Sequence, residues 1–199
     1  VDAADPSGTA ATGKIAPDYS TFLKADALKG KRFGVVRQAM GYHPDVDATM
    51  DTAIAAIKAA GAEVIDVKIP TYNDWNDPEF AVLLYEFKDG LNAYLKKAGS
   101  PHASLEALIA WNKANAEKAM PIFGQEIFEQ GQAKGPLTDA AYLEARDKAR
   151  DMAGRDGLLA TLEKHDLDAI VAPSMSPAWL TDPVLGDHFV GAGYGMAAV

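Results

Sequence analysis

A chain of 199 residues, of which 48 % are hydrophobic, is long enough to bury a substantial core, which excludes global disorder. Nineteen basic residues against 28 acidic ones give a net charge of -9 without long runs of one sign, so neither nucleic acid nor an anionic membrane surface is expected as a partner. The lack of cysteine excludes disulfides and thiolate metal sites, and it leaves both cytoplasmic and periplasmic localisation open. No stretch has the apolar length of a membrane span.

The first thirty residues have the composition of a connector. Proline and glycine recur through them, at Pro6, Gly8, Gly13 and Pro17. Such punctuation is typical of loops. We therefore interpret residues 1–30 as a connector with the turn that leads into the first strand, and residues 31–199 as a segment of an α/β domain. Because Val1 stands where a start methionine would be expected, we interpret the chain as a fragment or a processed product.

A strand, a helix and a second strand follow in close succession. The short run from Arg32 to Arg37, rich in Phe and Val, is typical of a buried strand. Asp45 is the expected N-cap of the next helix, and Gly61 stands where a left-handed residue would end it. The alternation from Glu63 to Ile69 predicts the second strand. This βαβ unit predicts two parallel neighbouring strands joined by a right-handed crossover.

The central part of the sequence predicts helices. The first begins at Pro78 after the cap Asp77, and it should pack its wide apolar face against the sheet. That face comprises Phe80, Leu83, Leu84, Phe87, Leu91, Tyr94 and Leu95. Glu86 lies one position from the face, so it is either exposed at the boundary, which we favour, or in a buried polar contact.

Two further helices and a third strand complete the pattern. The second helix should begin after Ser104 and continue to about Met120. The third helix should cover residues 138–165, starting at a threonine cap, with irregularity near Gly154 and Gly157. The run from Leu167 to Ala172 then returns to the sheet, and a proline ends it. The expected fold class is α/β, with three strands that belong to a larger mixed sheet flanked by helices.

Several segments in this order resemble those of amidase-signature hydrolases. The segments are residues 28–37, 53–70, 86–95, 104–112, 123–125 and 168–173. Together they resemble the portion of such an enzyme that follows its serine loop and precedes its last strands. Three later segments are similar to a branch of the family that includes bacterial peptide amidases, namely residues 177–179, 186–189 and 197–199.

The resemblance implies hydrolysis of a carboxamide through an acyl-enzyme, without metal or organic cofactor. The family uses a serine nucleophile, a second serine with a cis peptide bond, and a lysine. No serine of this chain lies in a Gly/Ser-rich loop, and the pair Ser174 and Ser176 is flanked by prolines. We therefore expect no catalytic residue in this chain and no amidase activity from it alone. The family's catalytic residues would lie upstream of Val1.

The candidate substrate-binding residues follow the third strand, where α/β sheets tend to place ligand contacts. Trp179 either lines an apolar substrate pocket or holds its loop against the core. Asp187, His188 and Phe189 form the second candidate segment, in which Asp187 and His188 either make local hydrogen bonds, which we favour, or contact the substrate. No histidine spacing indicates a metal site, and His43 and His165 stand at helix ends, where a structural role is expected.

Two functional hypotheses remain. In the first, the chain is part of an amidase and forms one wall of a pocket for a small amide or peptide amide. In the second, it is a self-contained α/β module that binds a small molecule or a protein without catalysis, because a βαβ unit serves many unrelated functions. A three-stranded fragment would leave sheet edges and apolar surface uncovered. We therefore expect a homo-oligomer or an association with the missing portions of the enzyme.

Overall fold

The computed structural model describes residues 6–186, 189 and 195–199, and these form an α/β fold with a small parallel sheet. The strands are β1 (Arg32–Val36), β2 (Glu63–Val67) and β3 (Ala169–Val171). The α-helices are α1 (Pro44–Ala59), α2 (Asn76–Lys97), α3 (Leu105–Ala114), α4 (Ala116–Ala119), α5 (Glu126–Gln132), α6 (Ala140–Arg150) and α7 (Ala160–His165), and a π-helical segment (Asp151–Leu159) joins the last two. No helix among the described residues combines the length and the apolarity that crossing a bilayer requires.

The sheet has the order β2-β1-β3, and both pairings are parallel. The parallel βαβ unit predicted from the sequence is therefore confirmed. Each strand is shorter than predicted. β1 ends before Arg37, because Arg37 begins a 3-10 turn. β2 ends before Ile69, whose N–H donates a hydrogen bond of 2.7 Å to the side-chain oxygen of Gln38 and not to a neighbouring strand. Whether further strands extend this sheet into a larger mixed one stays a prediction.

Both faces of the central strand are covered. Val35 and Val36 are both fully buried, and neighbouring side chains on a strand point to opposite faces. One face carries the main core cluster, which comprises Val36, Ala39, Val67, Ile69, Trp75, Ala153 and Met196. This cluster ties β1 and β2 to the π-helical segment and to the 3-10 turn Met196–Ala198.

Helix α1 is capped by an earlier residue than predicted. Its N-cap is His43 rather than Asp45, and the His43 Nδ1 accepts the Asp45 N–H at 3.3 Å. Pro44 occupies the first helical position, where its missing N–H costs nothing. At the other end Gly61 has φ +91, so the predicted left-handed residue is confirmed.

Helix α2 differs from the prediction in start and in packing. It begins at Asn76 with Trp75 as its N-cap residue, so Pro78 lies in the first turn rather than at its start. The helix packs mainly against α6 and α5, not against the sheet as predicted. Tyr94 is 66 % exposed, and the predicted apolar face is therefore only partly covered among the described residues.

The remaining helices follow the prediction with shifted ends. Ser104 caps α3 by accepting the Ala107 N–H at 3.1 Å, but the expected single helix breaks at Asn115 into α3 and α4. Helix α5 was not predicted from the sequence. Its Gly131 fits closely against the Phe87 side chain, where an added Cβ would lie 3.4 Å from Cδ1.

The long third helix is irregular, as predicted, but its cap is Asp139 rather than Thr138. Nine residues after α6 adopt π-helical geometry before α7 begins. An added Cβ on Gly157 would lie 2.5 Å from the Met152 oxygen, while the same oxygen accepts the Thr71 hydroxyl at 2.6 Å. The π-helical geometry thus coincides with a close contact to the loop that follows β2.

Candidate functional site

The loop after β3 starts at the carboxyl edge of the sheet, beside the loop that follows β1. Pro173 is buried and ends β3. The β1 loop turns at Gly41, which has φ +87 and whose N–H donates to both carboxylate oxygens of Asp47. Because parallel strands present their carboxyl ends at one edge, these two loops meet there. Ligands of open α/β sheets bind at this edge.

The structure brings two of the four predicted site residues together. The ring centroids of Trp179 and Phe189 lie 5.3 Å apart with an interplanar angle of 73°, an edge-to-face contact. Trp179 is partly buried, whereas Phe189 is 52 % exposed. Asp187 and His188 lie outside the described residues. The two rings form an aromatic corner, and the Phe189 ring leaves one side of this corner open to solvent.

A tight turn between the two aromatic residues fixes part of this loop. Asp182 and Gly186 exchange two backbone hydrogen bonds of 3.0 and 2.8 Å. The Asp182 carboxylate also accepts the N–H groups of Val184 and Leu185 at 2.8 and 3.0 Å. Sequence reasoning missed this turn, although Asp followed by Pro and, later, Gly is a known turn signal.

The turn and the residue Leu180 just before it present apolar side chains outward. Leu180 and Val184 are each 88 % exposed, and Leu185 is 78 % exposed. Leu185 also borders a shallow cavity together with Trp179. Exposed aliphatic side chains on an ordered turn are typical of a surface that another group covers.

A second cluster lies between α2 and α6. Sequence reasoning named Glu86 as a candidate for a polar contact but did not predict its pairing with Tyr142. The Tyr142 hydroxyl donates to the Glu86 carboxylate at 2.7 Å, and this hydrogen bond raises the pKa of Tyr142. The Tyr85 hydroxyl donates to Asp139 at 3.4 Å, and burial followed by that carboxylate raises its pKa. Glu86 is exposed, which is the alternative that we favour, and its carboxylate also accepts the Tyr142 hydrogen bond. The two phenols donate to these carboxylates and so join α2 to α6 and to its N-cap residue, Asp139.

Histidines and acids make no metal cluster in the part of the chain that the structure describes. That part contains no group of three or more His, Asp or Glu placed to hold a metal ion. The structural role predicted for His43 is confirmed, since it caps α1. His165 stands at the predicted helix end, as the last residue of α7, and its structural role stays a prediction.

The serines of the loop after β3 have no base beside them among the described residues. The hydroxyl of Ser176 is buried and has no hydrogen-bond partner there. Ser174 is exposed, and no hydrogen bond joins it to a lysine or histidine of the described residues. A serine nucleophile needs a hydrogen-bonded base, and this arrangement does not provide one.

Comparison with known proteins identifies the family. The Amidase family model matches residues 4–187. The chain belongs to the Amidase family. A probable amidase of Arabidopsis thaliana is 34 % identical over 160 residues, which cover 77 % of this chain and 30 % of that protein. One subunit of the glutamyl-tRNA(Gln) amidotransferase from a Synechococcus strain is 27 % identical over 169 residues, which cover 83 % of this chain and 32 % of that protein.

Solved amidase structures match the whole chain. A peptide amidase in complex with the competitive inhibitor chymostatin aligns with a TM-score of 0.89 and 37 % identity, covering 100 % of this chain and 40 % of that one. The native peptide amidase from Stenotrophomonas maltophilia aligns with a TM-score of 0.83 at the same identity and coverage. This chain of the Amidase family thus spans about a third of the length of its curated relatives. The predicted family and α/β fold class are confirmed.

Proposed function

We propose that this chain forms one wall of the substrate pocket of an amide-hydrolysing enzyme. The observation that carries the proposal is the edge-to-face contact of Trp179 and Phe189 beside the carboxyl edge of the sheet, in a chain of the Amidase family. Asp187 and His188 belong to the same proposed wall by their position in the sequence. The nucleophilic serine and the lysine come from polypeptide outside these 199 residues.

The proposed substrate is a small amide or a peptide amide. The likeness to peptide amidases supports it, at 37 % identity over the whole chain. In the proposed reaction the serine attacks the carboxamide carbon, ammonia or an amine leaves, and water releases the acid from the acyl-enzyme. No metal or organic cofactor takes part. The wall orients the substrate and shields it from water, and an aromatic corner suits the apolar part of an amide.

We further propose that residues 1–30 are a connector and residues 31–199 the C-terminal-side segment of an amidase-like α/β domain. The strand edges of β2 and β3 carry no further strand among the described residues, and many apolar side chains are exposed. A surface of this kind favours a homo-oligomer or association with the remaining portions of the enzyme.

The wall is tested in a longer polypeptide that carries a serine loop together with this chain. Trp179→Ala should raise KM for a peptide amide by about tenfold with a smaller change in kcat, because it removes apolar contact with bound substrate. Trp111→Ala on α3 is the matched control, since Trp111 is 44 % exposed and lies outside the wall. Equal kinetics for both variants and the parent would refute the assignment of Trp179.

A further inference from the structure

The sheet order places a crevice between β1 and β3. From β1 the chain crosses to β2 on one side, and from β2 it returns past β1 to β3 on the other. Right-handed crossovers in opposite directions put their helices on opposite faces of the sheet. The carboxyl ends of β1 and β3 therefore flank a topological switch point, which is where open α/β sheets bind ligands.

A groove of about 510 Å³ lies near this edge of the sheet, between α1 and the loop after β3. One side is the first turns of α1, with Val46 and Met50, and the other is the loop after β3, with Met175 and Pro177. Its exposed surface is mostly carbon. The volume falls within the range of small-molecule sites and accommodates a leucine or phenylalanine side chain with its adjoining amide.

The groove has polar groups at its rim. Asp45 and Ser174 line it, and within the described part of the chain neither side chain makes a hydrogen bond or an ion pair. Ser176, between two lining residues, does not itself line the groove, and its hydroxyl is buried. The side chains of Asp45 and Ser174 are exposed and free to hydrogen-bond the amide of a bound ligand.

The lining selects by charge. Among the described residues no lysine or arginine borders the groove, whereas Asp45 does. An acidic side chain entering it would lose hydration without gaining a counter-ion, and it would meet a like charge. A neutral aliphatic or aromatic side chain has no charge to dehydrate on entry, and it gains apolar contact with both methionines.

We propose that this groove binds the neutral apolar side chain next to the amide of the substrate. The proposal rests on the proposed amide-hydrolysing function for the identity of the ligand, and it adds the subsite and its selectivity. Met50 and Met175 are the residues that determine specificity there. The described residues that line the groove belong to this chain, so binding needs no catalytic serine.

The test is methyl NMR on the full 199-residue chain labelled at its six methionines. On titration with N-acetyl-leucinamide, the methyl signals of Met50 and Met175 should shift saturably while those of Met120 and Met152 stay in place. N-acetylglycinamide, which lacks the side chain, should need about tenfold more ligand for the same shift. N-acetyl-aspartate amide should shift neither groove methyl.

A substitution at Met175 distinguishes the loss of a ligand contact from the loss of the fold. Met175 is 54 % exposed, so Met175→Ala leaves the fold intact and should weaken N-acetyl-leucinamide binding about tenfold, as read from the Met50 methyl. Met120→Ala is the matched control and should leave the affinity unchanged. Absence of shifts at both groove methyls, or equal shifts at all six methionines, would overturn the proposal. Because no turnover is measured, a failure of amide hydrolysis in the longer enzyme is a separate result.

Discussion

Gly34 shows how tightly the central strand is packed. A Cβ at this position would lie 2.6 Å from Cδ1 of Leu167 and 2.9 Å from Cγ2 of Val67. Gly34→Ala should therefore lower the free energy of unfolding by about 1–3 kcal/mol, as overpacked cores do. Urea unfolding followed by circular dichroism measures this change.

Gly90 provides the matched control for that substitution. It lies inside α2, is exposed, and has open space around an added Cβ. Gly90→Ala should raise the free energy of unfolding by about 0.5–1 kcal/mol, because alanine favours the helix and restricts the unfolded chain. Equal effects of the two substitutions would contradict the packing around Gly34.

Asp168 ties the start of β3 to the start of β1. Its carboxylate accepts the Lys31 ammonium at 2.7 Å and the Arg32 N–H at 2.8 Å, and the Lys31 bond, followed by that N–H, lowers its pKa. A carboxyl whose pKa is lowered on folding stabilises the folded state above its unfolded pKa, near 3.8, and loses this contribution as pH falls through the folded value.

Asp168→Asn should therefore lower Tm at pH 7, and the difference from the parent should shrink as the pH falls below about 4. Asp89→Asn on the exposed side of α2 is the control and should leave Tm nearly unchanged. Thermal unfolding across this pH range measures both. A constant difference in Tm at all pH values would show that the charge of Asp168 does not contribute.

The helix-capping residues show which roles of single residues could be predicted from the sequence. The start of the second helix was placed correctly after Ser104, and the structure shows that the Ser104 hydroxyl caps it. At α1 the same rule selected Asp45, whereas the imidazole of His43 accepts the N–H in its place. Whether a neutral imidazole is oriented to accept depends on the backbone before the helix, which the sequence does not reveal.

At the scale of elements, the π-helical segment contains two glycines in different surroundings, of which only Gly157 is tightly packed. An added Cβ on Gly157 would meet the Met152 oxygen at 2.5 Å and Met196 at 2.9 Å, whereas Gly154 has open space. Gly157→Ala should lower the unfolding free energy by about 1–3 kcal/mol and Gly154→Ala by far less. Denaturant midpoints compare the two. A Gly157 variant as stable as the Gly154 variant would contradict the packing of this segment.

Sequence periodicity predicted which helices and strands form better than it predicted which elements pack against one another. The βαβ unit and the long irregular third helix followed from alternation, turns and glycine positions. The packing of α2 did not, because an amphipathic pattern shows that a face is buried but not which element buries it. Helix α5 was missed because its seven residues include Gly131 and no clear apolar period.

Part of the candidate site was also predictable from the sequence and part was not. Trp179 and Phe189 were identified from their place after a strand, and the two rings are in contact. The Asp182 turn and the groove beside Met175 were not predicted, since both arise from loops whose backbone geometry sets which side chains meet.

At the scale of the whole molecule, the exposed apolar surface predicts association. Val184 and Leu185 project from the Asp182–Gly186 turn, Leu180 is exposed just before it, and Tyr19 and Phe22 are exposed near the start of the chain. Light scattering on the isolated chain should give a mass above that of the 21.1 kDa monomer, rising with concentration. A stable monomer that binds no hydrophobic dye would argue against this surface being an interface.

The most direct measurement of the central proposal is ammonia release from a C-terminally amidated dipeptide. We predict no release by the 199-residue chain alone, and release by a longer polypeptide that joins this chain to a Gly/Ser-rich serine loop and a lysine. Turnover by the isolated chain that is abolished by Ser174→Ala or Ser176→Ala would place the nucleophile here and contradict the account. Lack of turnover by the longer polypeptide would contradict the proposed amide hydrolysis itself.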